Sequence, residues 1–306
     1  MPFAKHETFY IREGWLYKGM AAIKKATEEG RLPTIFLDDD APQRLGIGQN
    51  MVHALRFWMQ ATGLVEERQE RQRFHRLTAL GEQVWQHDRF LEDDQTLWLL
   101  HYNLACSSMH ATTWYWFFSH FVPSTFDEQR CLEALRYWVI GKYPDQEIAL
   151  GSLKRDIDCL LQTYLPSKIS RTPEDLTESP LSRLRILSRL TDSPRSLYRL
   201  ERLDPSQLHP LILLYVIVDR QAQARPGASQ VGLGDVLREP MNAGRIFNMT
   251  TTAISDLLAE LNKHYPEWRI RFVRTAGLDQ LTLPGCKSSE ILSYYYIERA
   301  SRREDL

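Results

Sequence analysis

At 306 residues, with 43% hydrophobic and 25% charged residues, the chain has ordinary globular composition and is long enough for two or three packed units. A formal net charge of −1 excludes a uniformly basic, DNA-coating protein, so any contact with nucleic acid has to come from local patches. The opening MPFAKHETFY has no apolar signal-peptide run and no stretch approaches the ~18 uncharged apolar residues of a membrane span, so a cytoplasmic protein with no membrane partner is expected.

The four cysteines, Cys106, Cys131, Cys159 and Cys286, are far apart, form no CxxC pair and read as reduced, mostly buried thiols. Residues 14–29 carry strong helix formers and Gly30 is placed to end that helix. Asp39 or Asp40 can cap a short helix running through Leu45, with Pro42 in its first turn, and Gly46, Ile47 and Gly48 then supply a tight turn. From Gln49 to Thr62, Met51, Val52, Leu55, Trp58 and Met59 recur at helical spacing. Gln49, Asn50, His53, Arg56 and Gln60 fall on the other side, as a recognition helix needs: one face in the core, the other able to reach base edges.

Gly63 ends this helix, and Leu64–Arg68 and Phe74–Leu77 read as two short strands around a charged tip bearing Arg71 and Arg73. Thr78 can cap a following helix with Leu80, Val84 and Trp85. Helix, turn, helix, hairpin, helix is the winged-helix order, which serves DNA binding or, equally as a fold, protein packing.

Residues 88 to about 220 read as mainly helical. The aromatic run LWLLHYNLACSSMHATTWYWFFSHF fits a buried helix better than a base-stacking platform. LKRDIDCLLQTYLP puts Leu153, Ile157, Leu160 and Leu161 on one face and leaves Arg155, Asp156 and Asp158 more exposed. The polar stretch 171–180 reads as a loop. The arginine-rich run from Arg183 to Arg202 is either a phosphate-contacting patch or a solvated face paired with acids.

QAQARPGASQVG, 221–232, reads as the clearest flexible loop. Thr250 or Thr251 caps a helix striped with Ile254, Leu257, Leu258 and Leu261, and WRIRFVRTAGLDQLTL alternates Trp268, Ile270 and Phe272 against Arg269 and Arg271 before turning at Gly277. The expected architecture is therefore mainly α in three domains: an N-terminal winged helix-turn-helix (1–88), a central helical domain (89–220) and a C-terminal winged-helix-like unit with a short β-hairpin (221–306).

Four stretches, HETFYIREGWLYKG (6–19), RLGIGQNMVHALRFWMQATGL (44–64), ATTWYWFFSHF (111–121) and TAGLDQLTL (275–283), span nearly the whole chain in one order. Together they resemble a bacterial domain family of unassigned function that includes SspB of the Ssp DNA phosphorothioation, phage-defence system. The resemblance implies double-stranded DNA as a ligand and a PAPS-reductase-like protein, an ATPase and a cysteine desulfurase as partners. It also implies a role in nicking DNA so that sulfur can enter the backbone, and it carries over no catalytic residue.

Backbone nicking needs clustered carboxylates around one or two divalent ions, Mg²⁺ or Mn²⁺, or a tyrosine or histidine nucleophile. His6, Glu7 and Arg12 interrupt Phe3, Phe9 and Ile11 without an evident structural demand, and are read as a catalytic, metal or phosphate site or as a buried Glu7–Arg12 ion pair tying down the N-terminus. Asp38, Asp39 and Asp40 read as a helix cap with first-turn charge, since adjacent acids point apart on any regular element. No Walker loop, dinucleotide fingerprint, GxSxG or Cys-His signature is present, so ATP or NAD use by this chain is not expected. Three functions follow: a DNA-binding and nicking subunit, a non-catalytic DNA-binding adaptor or regulator, and a protein-interaction scaffold.

Overall fold

The computed structural model describes residues 3–166, 178–190, 196–268, 270–275 and 278–304. Its contacts divide the chain into two units, 1–117 with 121–201, and 118–120 with 202–306. The stretch 1–88 lies inside the first unit, and the helix that crosses residue 220 lies wholly inside the second.

The first unit begins with α1 (Trp15–Glu28), which presents Leu16, Met20 and Ile23 to the core and stops where Gly30 takes φ +68°. Next come α2 (Ala41–Leu45) and α3 (Gln49–Ala61), then the antiparallel pair β1 (Val65–Gln69) and β2 (Arg73–Leu77), then α4 (Ala79–His87). Val65 lies opposite Leu77 and Gln69 opposite Arg73, so the hairpin tip holds Glu70, Arg71 and Gln72. At the end of α3 the chain reverses through Gly63, whose φ of +74° an L side chain resists, and an added Cβ would sit 2.9 Å from Asn103 Cγ. Thr78 caps α4 as expected, its Oγ1 accepting from Gly81 N. Asp40 stands at the start of α2 but caps nothing; Arg44 Nη1 reaches Asp38 at 2.8 Å and Asp40 at 3.2 Å instead.

The aromatic run forms α5 (Asp94–Cys106) and α6 (Thr112–Ser119), and Trp98, Tyr102, Trp114, Trp116 and Phe117 are buried, as a core requires. Trp114 meets Trp58 of α3 edge to face at 5.4 Å, so the hairpin-bearing region and the aromatic helices share one apolar interior. The short β3 (Thr125–Phe126) leads into α7 (Glu128–Lys142) and α8 (Leu150–Tyr164). The arginine-rich run is not a helix: it forms β4 (Leu187–Leu190) and β5 (Leu197–Leu200), in a three-stranded antiparallel sheet ordered β3-β5-β4.

The second unit contains α9 (Pro210–Ala224), β6 (Gln230–Gly232), α10 (Leu233–Arg238), α11 (Ala243–Ile246), α12 (Thr251–His264), β7 (Arg271–Thr275), β8 (Leu278–Thr282) and α13 (Ser288–Glu304). Its sheet is ordered β6-β8-β7, antiparallel throughout. The expected flexible loop 221–232 is corrected here, because its first four residues complete α9 and its last three form β6. Gln221 is buried and its side-chain amide donates to the Gln230 carbonyl at 3.2 Å, which satisfies both ends of the short connection. Thr250 caps α12 by accepting from Ala253 N, and Ile254, Leu257, Leu258 and Leu261 are buried as one stripe. Phe272, on the edge strand β7, departs from the expected alternation and is 48% exposed. The expected loop at 171–177 and the turn at Gly277 lie outside the described residues. Among the described residues no helix is long and apolar enough to cross a membrane.

Gly81 is the tightest joint of the hairpin region, since a Cβ there would stand 2.1 Å from the Leu64 carbonyl oxygen. Gly81→Ala is therefore expected to destabilise by about 2 kcal/mol or more through backbone displacement. Gly151→Ala, on α8 with nothing within 4 Å, should stabilise by a few tenths to about 1 kcal/mol. Urea unfolding of both variants checks the sign as well as the size.

Candidate nucleic-acid interface

Helix α3 buries Val52, Ala54, Leu55, Phe57, Trp58, Met59 and Ala61, a wider apolar face than the expected stripe. Gln49, Asn50 and His53 are left exposed, Arg56 and Gln60 half-buried, and Met51, expected in the stripe, is only half-buried. Gln49 Nε2 and His53 Nε2 lie 3.3 Å apart, so these two side chains form one polar row along the helix.

The hairpin changes the electrostatics of that row. Glu67 of β1 reaches back over α3, where Arg56 bonds it and Gln60 Nε2 donates to it at 3.4 Å. Arg73 Nη1 lies 3.9 Å from the same carboxylate and His75 Nε2 lies 3.4 Å away. Burial opposes ionisation of Glu67, but the Arg56 hydrogen bond and the charges of Arg56, His75 and Arg73 outweigh it and hold the carboxyl below its ordinary value. Glu66 likewise takes Arg68 at 2.8 Å and Arg76. Arg71, at the tip, is exposed and takes part in none of these pairs. Of the expected contact residues, Gln49, Asn50, His53 and Arg71 are thus exposed and unpaired by acids, while Arg56 and Arg73 share Glu67.

His75 is fully buried behind this network, edge-on to Phe36 at 5.1 Å. Burial, reinforced by the Arg56 charge, pushes its imidazole down to about 4.

The N-terminal trio is dispersed. His6 is 1% exposed and its Nε2 lies 2.9 Å from Asp156 Oδ1 on α8. The same oxygen accepts from Ala4 N at 2.7 Å, and Asp156 Oδ2 accepts from Thr113 Oγ1 at 2.6 Å. Asp156, expected to be exposed, is therefore 2% exposed and serves as the buried knot between the N-terminal segment, α6 and α8. Glu7 is exposed in a turn with φ +49°, and Glu7 and Arg12 form no ion pair among the described residues. The Arg12 guanidinium instead sits 5.6 to 5.7 Å from the ring centres of Phe9, Tyr10 and Trp15. The N-terminus is tied down, through His6 and Asp156.

Beside α3 lies an open cleft of about 360 Å³ lined by Lys5, His53, Arg56, Phe57, Gln60, Glu67 and His110. Lys5, Glu67 and His110 carry no periodic signal, because they converge from three separate segments. Elsewhere, Arg183 bonds the Leu91 and Glu92 carbonyls and Asp94, and Arg199 pairs with Glu201, so these members of the arginine run are matched by acceptors. In the second unit Arg271 is exposed on β7, and Arg269 lies outside the described residues. The outward residues of α12 include the acids Asp256 and Glu260, unlike those of α3. None of the cysteines forms a disulfide. Among the described residues, no three His, Cys, Asp or Glu side chains converge to hold a metal ion.

The class defined by this architecture is a mainly helical protein carrying small antiparallel sheets, with a polar helix face and a charged hairpin side by side. The chain belongs to the family described as Protein of unknown function (DUF4007), whose model matches residues 3–296. It is similar to two solved structures. One, titled magnesium ion-bound SspB, is 28% identical over 96% of this chain and 87% of that one, with a TM-score of 0.84. The other, titled SspB, is 27% identical over 97% of this chain and 87% of that one, with a TM-score of 0.82. No curated protein matches.

Removing the Asp156 carboxylate leaves His6, Thr113 and the Ala4 amide without their shared acceptor. Asp156→Ala is expected to cost about 3 kcal/mol, read as a lowered denaturation midpoint. His75 gives a pH dependence of defined sign. Its folded value lies below its unfolded one, so its contribution is complete above about pH 6.5 and is lost as pH falls toward about 4, by an amount on the order of 3 kcal/mol. His75→Leu should flatten that limb of a plot of Tm against pH; an unchanged limb would place the titration elsewhere.

Proposed function

We propose that this chain is a DNA-binding component of a DNA phosphorothioation, phage-defence system, and that residues 41–87 act as a winged helix with α3 in the major groove and the β1-β2 hairpin as the wing. The observation that carries the reading is the row Gln49, Asn50 and His53, exposed on a helix otherwise bedded in the core, with the Arg71 tip beside it. Amide side chains pair bidentately with adenine edges, and an unpaired arginine on a hairpin tip suits a phosphate. The likeness to SspB structures over nearly the whole chain, together with family membership, supports the system-level part. A PAPS-reductase-like protein, an ATPase and a cysteine desulfurase would be its protein partners.

In this reading Gln49, Asn50 and His53 read bases, Arg71 and Arg73 hold phosphates, and Arg56 joins them once it leaves Glu67. In the second unit α9, β6, α10, α11, α12, β7 and β8 follow one another in an order compatible with a winged-helix-like module, and its hairpin with Arg271 would add a further backbone contact; Arg269, the other expected contact, lies outside the described residues. Asp256 and Glu260 on the outward face of α12 do not suit a groove, so this second module would not insert its helix. Nicking by this chain would need Mg²⁺ or Mn²⁺; no three His, Cys, Asp or Glu side chains converge among the described residues, so such an ion would be held by fewer protein ligands together with water and phosphate oxygens.

Asn50→Ala should weaken binding to a preferred duplex by about 1–3 kcal/mol while changing random-duplex binding little. Arg71→Ala should weaken both equally and reduce the salt slope by about 1. Fluorescence anisotropy across a salt series measures both, and wild-type affinity in both variants would remove α3 and the wing from the interface.

A further inference from the structure

The cleft beside α3 has a built character that the groove-reading row does not need. Its floor is Phe57, backed by the buried His6 ring at 5.8 Å. Lys5 lies between Ala4 and His6, and both neighbours are bonded to Asp156 Oδ1, so the backbone that carries Lys5 is clamped on either side. Thr113, just beyond His110, is bonded to the other oxygen of the same carboxylate. One buried group therefore fixes both segments that bring Lys5 and His110 to the cleft. The Lys5 ammonium lies 3.4 Å from the Met109 carbonyl, next to His110.

Glu67 is the acid of the lining, and it is held by Arg56 and Gln60. A carboxylate in that position is what an incoming anion would replace, since a phosphate oxygen accepts the same guanidinium and amide donors. With Arg56 and Glu67 cancelling, Lys5 leaves the cleft net positive. Burial and the Lys5 charge hold His110 below its ordinary value, opposed by Glu67. His53 and Arg56 also line the cleft. A volume of about 360 Å³ accommodates a phosphate with part of an attached sugar.

We propose that this cleft seats one phosphodiester group of a nucleic-acid backbone, with Lys5 and His110 as its fixed donors and Arg56 transferred to it from Glu67. The proposal deepens the duplex-binding reading and rests on it for the source of the phosphate. It gives Glu67 the role of a placeholder, which keeps Arg56 oriented and the cleft closed to weaker anions until the diester displaces it.

The test follows the imidazole signals of the full chain, labelled at histidine, as inorganic phosphate or thymidylyl-thymidine is added. The dinucleotide is expected to shift the His110 and His53 signals and to raise the pH at which His110 titrates. Lys5→Met, a surface change, should weaken dinucleotide binding roughly tenfold. Glu67→Gln should strengthen it several-fold by releasing Arg56, provided the Tm stays near wild type; a merely structural Glu67 would give unchanged or weaker binding. Binding of inorganic phosphate without the dinucleotide would assign the cleft to a free anion and overturn the proposal, as would no response of His110 to either ligand or indifference to Lys5→Met. If the dinucleotide fails while duplex binding still depends on Asn50, the cleft assignment falls and the DNA reading stands. If the dinucleotide binds with these variant effects but no duplex does, the cleft assignment stands and the groove reading falls.

Discussion

A carboxylate taken out of water costs several kcal/mol unless donors meet its oxygens, and Asp156 meets that demand with groups from distant parts of the chain: the Ala4 amide, the His6 imidazole and the Thr113 hydroxyl. Because the bonds are short and the group is buried, the N-terminal segment has a defined path across α8 and α6 rather than a frayed end. That path carries Lys5 to the edge of α3 and lays the His6 ring against Phe57 and Trp114. The interior beneath α3, with Trp58 edge-on to Trp114 and its Nε1 donating to the Phe9 carbonyl at 3.0 Å, is assembled on the same constraint.

The hairpin's acids offset part of a local excess of positive charge. Glu66 and Glu67 are shared by four neighbouring arginines, Arg68 and Arg76 on one side, Arg56 and Arg73 on the other. Exposed pairs of this kind contribute about 1 kcal/mol or less to stability each, so their main consequence is for the field outside the protein. The wing keeps a positive balance, and the cations without an acid partner include Arg71 and, at the cleft, Lys5. A backbone phosphate brought near Arg56 would compete with a carboxylate already in place. Such a site favours a well-fitting anion over a diffuse polyanion, because part of the interaction energy goes to displacing Glu67.

The order α2, turn, α3, hairpin, α4 was legible because each step has a local cause. Gly46 and Gly63 supply left-handed turns, the 3.6-residue period of Val52, Leu55 and Trp58 defines a buried face, and Thr78 supplies a cap. The aromatic run was legible as core for a similar reason, since side chains of that size at that density have nowhere else to go. The arginine run and the stretch 221–232 were less so. Their composition suggested surface patch and loop, but cross-strand pairing of β3 with β5 and of β6 with β8 joins residues far apart in sequence, and composition does not record such partners.

The sequence by itself determined where α1, α3 and α4 lie, which face of α3 turns inward, and that Gln49, Asn50 and His53 turn out. Those features depend on residues within a few positions of one another, so period and capping chemistry suffice. Only the tertiary structure decided that Asp156 is buried, that His6 bonds it, and that Glu67 takes Arg56 and Arg73. Each of these is an electrostatic match between groups brought together by folding. A charged residue on a helix reads as exposed until a donor from another segment compensates its desolvation, and that donor's identity is a property of the packed chain.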